Sequence, residues 1–193
     1  MLENEQNLIE RAIQGDKEAF GLLYNHYQPQ IYRFIYIKVS ERAEAEDICH
    51  QVFLKAWQNI ERFRYQKLPL SSWLYRIARN QIIDVYRTKK IELSLERVKE
   101  VAVDNPGIEK EIDSKKEIEK IRKALKQLKP EQQDVIIMRY IEEMSPKEIA
   151  LALKKTPTAV RIIQHRALKG LRQILNHGKY YWKIKKSEEN RTG

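Results

Sequence analysis

Apolar residues recur at spacings of three and four along almost the whole chain, and strict alternation is nearly absent, so the pattern predicts helices throughout. Leu8, Ile9, Ala12 and Ile13 form a first stripe. Ala19, Phe20, Leu22 and Leu23 continue it beyond Gly15-Asp16, with Asp16 capping the new segment. Residues 28–40 (QPQIYRFIYIKVS) carry Ile31, Tyr32, Phe34, Ile35, Ile37 and Val39; that density suits a strand as well, but the segment reads as a core helix. Residues 41–59 follow as a long amphipathic helix, with Ile48, Val52, Leu54 or Lys55, and Ala56 around its face and Phe53 and Trp57 four apart. A basic and aromatic loop, residues 62–72, leads to a helix capped by Ser71 or Ser72 and running from Trp73 to about Lys90. Leu74, Ile77, Ala78, Ile82 and Val85 are its core-facing positions.

The pattern lapses over residues 91–119, around Pro106-Gly107, and this stretch reads as a linker with a short helix from Ile108 onward. A second helical domain starts near Ile118. Ile121, Leu125 and Leu128 face its first helix inward; Pro130 opens the next, with Val135, Ile136, Met138, Tyr140 and Ile141 inside. Ser145-Pro146-Lys147-Glu148 then places a hydroxyl at the N-cap, proline at the first helical position and glutamate at the third, a capping box, ahead of Ile149, Ala150 and Leu153. Thr156-Pro157 starts another helix the same way, with Val160, Ile163, Ala167 and Leu171 inward. Residues 145–175 therefore form a helix-turn-helix pattern, whose second helix enters a DNA major groove in proteins built this way. Lys154-Lys155 occupies the turn where a glycine is common; a lysine in a left-handed conformation there costs about 1 kcal/mol, so the turn is expected to differ in shape. The predicted class is all-α: two small helical domains joined by a flexible acidic linker, the second ending in a helix-turn-helix.

Charge sharpens this division. The chain of 193 residues carries a net charge of +10, unevenly placed. Residues 1–61 hold 6 basic and 10 acidic side chains, residues 62–90 hold 8 basic against Asp84 alone, residues 91–119 hold 5 against 9, and residues 120–193 hold 18 against 7. Two basic zones separated by an acidic spacer predict two contacts with a polyanion. On the outward side of the last helix stand Thr158, Arg161, Ile162, His165, Arg166 and Lys169, suited to guanine edges and phosphates. In the earlier zone, aromatic rings interleave with cations, as single-stranded nucleic acid requires. Acidic residues crowd the first turns of 41–59 (Glu41, Glu44, Glu46, Asp47), where the helix dipole favours them.

Other chemistries are disfavoured. Cys49 is the single cysteine, so neither an intramolecular disulfide nor a cysteine metal cluster forms. His26, His50, His165 and His177 have no metal-ligand spacing, and no P-loop or nucleotide fingerprint occurs, so no cofactor and no metal are expected. No segment has the run of apolar residues a membrane helix needs, and the acidic, amphipathic start of the chain is unlike a signal peptide, so a cytoplasmic location is expected.

Read together, GDKEAFGLLYNHY, AEDICHQVFLKAWQNIERF and SSWLYRIARNQIIDVYR, then LKQLKPEQQDVIIMRYIEEMSPKEIA and TAVRIIQHRALKGLRQIL, resemble the extracytoplasmic-function (ECF) group of sigma-70 family transcription initiation factors, over about residues 5–90 and 118–176. The resemblance implies region 2 at 1–92, a linker at 93–117, region 4 at 118–176 and a basic aromatic tail at 177–193 with no counterpart. It implies a non-enzymatic subunit that binds core RNA polymerase and promoter DNA, duplex upstream and single-stranded where melted, with an anti-sigma factor as a further partner. Asp47, Ile48, Gln51, Phe53, Leu54 and Trp57 match the polymerase-docking segment. Phe63, Tyr65, Trp73, Arg76, Arg79, Asn80, Asp84 and Arg87 match the segment that reads the −10 element and captures an extruded base, although the loop RYQKLPLSS departs from the usual pattern. The outward face with Arg161, Ile162, His165 and Arg166 would meet the −35 element. The competing expectation is a one-component helix-turn-helix regulator that acts without polymerase.

Overall fold

The computed structural model describes residues 4–65, 68–95 and 114–189, and the side-chain surroundings of 4–65, 68–89 and 120–175. The described residues are helical, with no strand among them. Most of the expected linker, 96–113, and the side chains of the expected tail lie outside the described residues.

Helix α1 (Glu5–Ile13) and helix α2 (Lys17–Val39) flank Gly15, whose φ of 92° suits only glycine comfortably. Asp16 caps α2, accepting from the Glu18 and Ala19 N–H groups at 2.9 and 3.0 Å. The segments expected to be separate at 5–26 and 28–40 join: α2 runs unbroken through Pro29, and the strand alternative is gone. Its buried stripe, Ala19, Leu23, Tyr27, Ile31, Phe34 and Ile35, keeps a single face across the proline, which stands exposed on the other side. Tyr27 donates to Glu5 Oε1 at 2.6 Å and ties α1 down. Helix α3 (Arg42–Asn59), capped by the Glu41 carboxylate, packs Ile48, Val52, Phe53 and Ala56 inward. A short 3-10 turn (Ile60–Arg62) leads to helix α4 (Leu70–Leu95). This helix starts three residues earlier than expected, directly after Pro69, so Ser71 and Ser72 are not caps; Ser72 is fully buried within it.

In the second domain, α5 (Ser114–Lys126), α6 (Pro130–Tyr140), α7 (Pro146–Leu153) and α8 (Pro157–Glu189) follow. The helix-turn-helix is α7 and α8. Its capping box is formed: the Glu148 N–H donates to Ser145 Oγ at 3.2 Å, and the Ser145 N–H donates to Glu148 Oε2 at 2.7 Å. Lys154 adopts φ 54°, ψ 47°, the left-handed conformation usually left to glycine, so the turn keeps the ordinary shape with a lysine in the strained place. Three residues expected to face inward lie outside, the first being Leu22 of α2, which is half exposed. Ile121 is half exposed because Ala124 and Leu125 form the inner face of α5, and Tyr140 is exposed because it sits on the last turn of α6, where its hydroxyl accepts from Gln164. Asp134 is instead buried. One apolar cluster runs from Ile9, Phe34 and Tyr75 through to Met138, Ile149 and Val160, because α7 lies against α4.

Candidate nucleic-acid interface

Helix α8 turns Val160 and Ala167 fully inward, with Ile163 and Leu171 half-buried beside them. The same 3.6-residue period leaves Thr158, Arg161, Ile162, His165, Arg166 and Lys169 all exposed on the opposite side. Thr156 Oγ1 accepts from the Ala159 N–H at 3.1 Å and fixes the start of the helix. Among the described residues no acidic side chain pairs with Arg161, Arg166 or Lys169, so their charge is available to DNA. The contrast with Lys155 is informative, because its ammonium is held by Glu131 at 2.8 Å.

A second surface forms where the end of α3, the 3-10 turn and α4 meet in a cleft of about 430 Å³. Phe63 and Trp73 form its aromatic wall, with ring centroids 4.9 Å apart and planes inclined by 36°. Asn59, Asn80, Gln81 and Asp84 supply amide and carboxylate groups, and Lys55 and Arg62 supply charge. A cleft with a ring to stack on, several hydrogen-bonding groups and cations at hand suits one unstacked base with its phosphate.

Of the residues expected to act at the −10 element, Phe63, Trp73, Asn80 and Asp84 come together here. Arg87 is exposed beyond the cleft and pairs with Asp84 at 3.3 Å, while Tyr65 stands partly exposed on the loop. Arg76 and Arg79 lie on a different face of α4. Arg76 Nε donates to the Ala152 carbonyl at 3.4 Å and its Nη2 to the Leu151 carbonyl, while Arg79 Nε donates to Asp134 Oδ2 at 2.8 Å. Burial pushes the Arg76 guanidinium below its usual value. Sequence reading missed Lys55, Asn59, Arg62, Ile77 and Gln81. Lys55, Asn59 and Arg62 recur at four and three, so one face at the end of α3 was a signal available beforehand.

On α3, Asp47, Gln51 and Leu54 form an exposed stripe, again spaced by four and three. Ile48 and Phe53, expected on the same docking surface, are buried, and Trp57 is half-buried. The Phe53 ring meets Tyr24 edge-on at 4.7 Å and Trp57 meets Phe20 at 4.9 Å, so these aromatics fasten α3 to α2. Leu22, Tyr24 and Leu54 are the large apolar side chains these two helices leave exposed.

Two helical domains, one carrying a helix-turn-helix and the other a cleft with an aromatic wall and cations beside it, are the architecture of a nucleic-acid-binding protein. Residues 23–91 match the family model for sigma-70 region 2, and residues 118–171 match that for sigma-70 region 4. The ECF RNA polymerase sigma factor SigW of Bacillus subtilis is 30% identical over 86% of this chain and 94% of its own length. BldN of Streptomyces coelicolor, also an ECF sigma factor, is 32% identical over 87% of this chain and 64% of its own, so the chain spans a little under two thirds of that relative. The fold is also that of CnrH, solved with the cytosolic domain of CnrY (TM-score 0.68, 22% identity, 90% of this chain and 97% of that one). It is likewise that of the sigma factor RpoE from Bartonella quintana (TM-score 0.66, 22% identity, 81% and 96%). The chain belongs to the ECF family of sigma factors, alternative sigma factors that direct RNA polymerase to particular promoters. The match to region 2 as well as region 4 leaves the one-component regulator without support.

Proposed function

We propose that the two surfaces divide the work of initiation. Residues 1–92 bind core polymerase and open the promoter, residues 118–176 hold its upstream element, and 93–117 join them. The exposed face of α8 reads the −35 element in the duplex, with Arg161 and Arg166 as base or phosphate contacts and Thr158, Ile162, His165 and Lys169 around them. The cleft of Phe63, Trp73, Asn80 and Asp84 takes one non-template base of the −10 element as the strands separate. Flipping that base costs a few kcal/mol, which stacking and edge contacts in the cleft offset. The exposed stripe Asp47, Gln51 and Leu54 on α3 docks on polymerase, and Phe53 and Trp57 hold that stripe in shape. The chain supplies binding energy while polymerase supplies the chemistry, which places its work in the cytoplasm. RpoE was solved with the anti-sigma factor NepR, and a protein regulator of that kind is proposed for this chain.

The cleft carries the reading, because it joins an aromatic wall to four hydrogen-bonding side chains on the domain that must melt DNA. A promoter bearing 2-aminopurine at each non-template −10 position in turn tests it. One position should respond differently from its neighbours when chain and core polymerase open the promoter, and N80A should abolish that difference. A uniform response at every position would mean that no base is captured.

A further inference from the structure

The outward face of α8 presents one side chain that neither charge nor packing accounts for. Ile162 is 47% exposed. Among the described residues of α8, the other large apolar side chain left outside is Leu175, beyond the end of the region 4 match at residue 171. The helical period sets the outward face in two rows. Thr158, Ile162 and Arg166 form one, and Arg161, His165 and Lys169 form the other, each spaced by four. Ile162 therefore sits at the centre of the face. Its neighbours three and four residues away are Thr158 and Ala159 before it and His165 and Arg166 after it, so no large apolar side chain stands beside it there. The inward positions of this stretch, Val160, Ile163 and Ala167, lie round the helix, and Gln164 donates to the Tyr140 hydroxyl at 2.8 Å.

A single exposed apolar residue is ordinary on a protein surface; one at the centre of a cationic face aimed at DNA is not. A lysine, arginine or glutamine there would favour the helix more than a β-branched residue, stay solvated, and add a phosphate or base contact. Isoleucine offers instead a rigid apolar surface, because one χ1 rotamer dominates for it in a helix. The apolar feature that a base pair presents in the major groove is the C5 methyl of thymine. A side chain packed on that methyl distinguishes thymine from cytosine and from uracil. Position along the helix agrees. Pro157 is the first residue of α8, so Ile162 lies in its second turn, and the N-terminal residues of a recognition helix are those that reach base edges.

We propose that Ile162 is a specificity-determining residue that packs on the C5 methyl of one thymine, on either strand, in the −35 element, while Arg161, His165 and Arg166 take the polar edges and phosphates around it. This assignment rests on the reading of α8 as the −35 helix and adds to it the chemical group that is read.

Deoxyuridine removes only that methyl and leaves base pairing intact. Each thymine of the upstream element, on both strands, is replaced in turn in a promoter fragment bound by the full chain with core polymerase, and affinity is measured by competition. At one position the wild type should lose about three- to fivefold, the worth of burying one methyl group. I162A should lose a similar factor on the unmodified fragment, keep the wild-type melting temperature, and show no further loss with deoxyuridine at that position. I162V should retain the discrimination. A wild type indifferent to deoxyuridine at every position, or an I162A variant as sensitive as wild type at the responsive one, overturns the contact. R161A/R166A on the same fragment separates the two levels. Loss of binding by that variant, with no deoxyuridine effect in the wild type, leaves α8 as the reader and strikes only the role of Ile162. Unchanged binding by R161A/R166A removes α8 from the −35 element and takes the thymine contact with it.

Discussion

Phe63 and Trp73 stand with ring centroids 4.9 Å apart, one at the end of the 3-10 turn and the other one turn into α4, and their contact fastens the loop between them to the wall of the cleft. Phe63 is almost fully buried, so its role in the cleft and its role in the fold cannot be separated by removing it. Truncation to alanine costs about 3–5 kcal/mol of stability at a site of this kind. Asn80 is exposed and offers the cleaner probe. N80A should leave the melting temperature unchanged and reduce open-complex formation by about 1–3 kcal/mol, roughly 5- to 150-fold. The loss should shrink on a template already melted at −10 except for direct base contacts, and permanganate footprinting of both templates measures it.

Arg161 and Arg166 should separate promoter recognition from polymerase binding. R161A/R166A should reduce use of promoters that depend on the −35 element while the affinity for core polymerase stays at the wild-type value. Where both arginines neutralise phosphate, the log–log salt slope of duplex binding should also fall by about 2, close to 0.9 per contact. Equal loss of promoter and polymerase binding would remove α8 from its assigned role.

Helix α3 offers two kinds of variant that ought to behave differently. L54A and Q51A alter exposed positions and should weaken polymerase binding without shifting thermal unfolding. F53A removes a buried ring that meets Tyr24 and should destabilise the domain by about 3–5 kcal/mol. Titration of core polymerase followed by anisotropy, beside differential scanning fluorimetry, distinguishes the two effects.

Cys49 should behave as a packing residue rather than a redox handle. Burial pushes its thiol up to about 11, so at pH 8 about one thiol in a thousand is ionised, against about one in ten at the usual value of 9.0. Native protein should therefore react with a maleimide about 100-fold more slowly than urea-unfolded protein. The sign for stability follows: the folded state prefers the protonated thiol, so this contribution is complete below pH 9 and is lost as pH rises toward 11.

Lys154 is a strained residue the sequence exposes directly. With φ 54° in the turn of the helix-turn-helix, Lys154→Gly should stabilise the chain by about 0.5–1 kcal/mol, the relief of the left-handed lysine exceeding the extra entropy of the unfolded glycine. A rise of about 1–4 °C in melting temperature is expected for a chain of this size.

What the sequence made legible was local. The helices, the Asp16 cap, the reciprocal bonds of Ser145 and Glu148, and the outward face of α8 all follow from period and capping within a few residues. The interface between domains was not legible for a physical reason. Asp134 reads as an ordinary polar position in PEQQDVIIMRY, and its burial makes sense only with Lys38 and Arg79, which lie 96 and 55 residues earlier. The same applies to Ser72, which has the local look of a cap but whose partner is the Glu148 carbonyl 76 residues on. The cleft was half legible. Phe63, Trp73, Asn80 and Asp84 came with the resemblance, whereas Lys55 and Asn59 of α3 and Arg62 of the 3-10 turn were overshadowed by the acidic and aromatic character of the rest of that stretch.

The central claim, that this chain is an initiation factor with a melting domain and an upstream reader, is tested most directly by run-off transcription with purified bacterial core polymerase on genomic promoter fragments. The expected result is discrete start sites that appear only with the chain present, weaken when the upstream element is scrambled, and vanish when the −10 element is replaced. Absence of promoter-specific transcripts, together with tight binding of the isolated chain to duplex DNA, would contradict it.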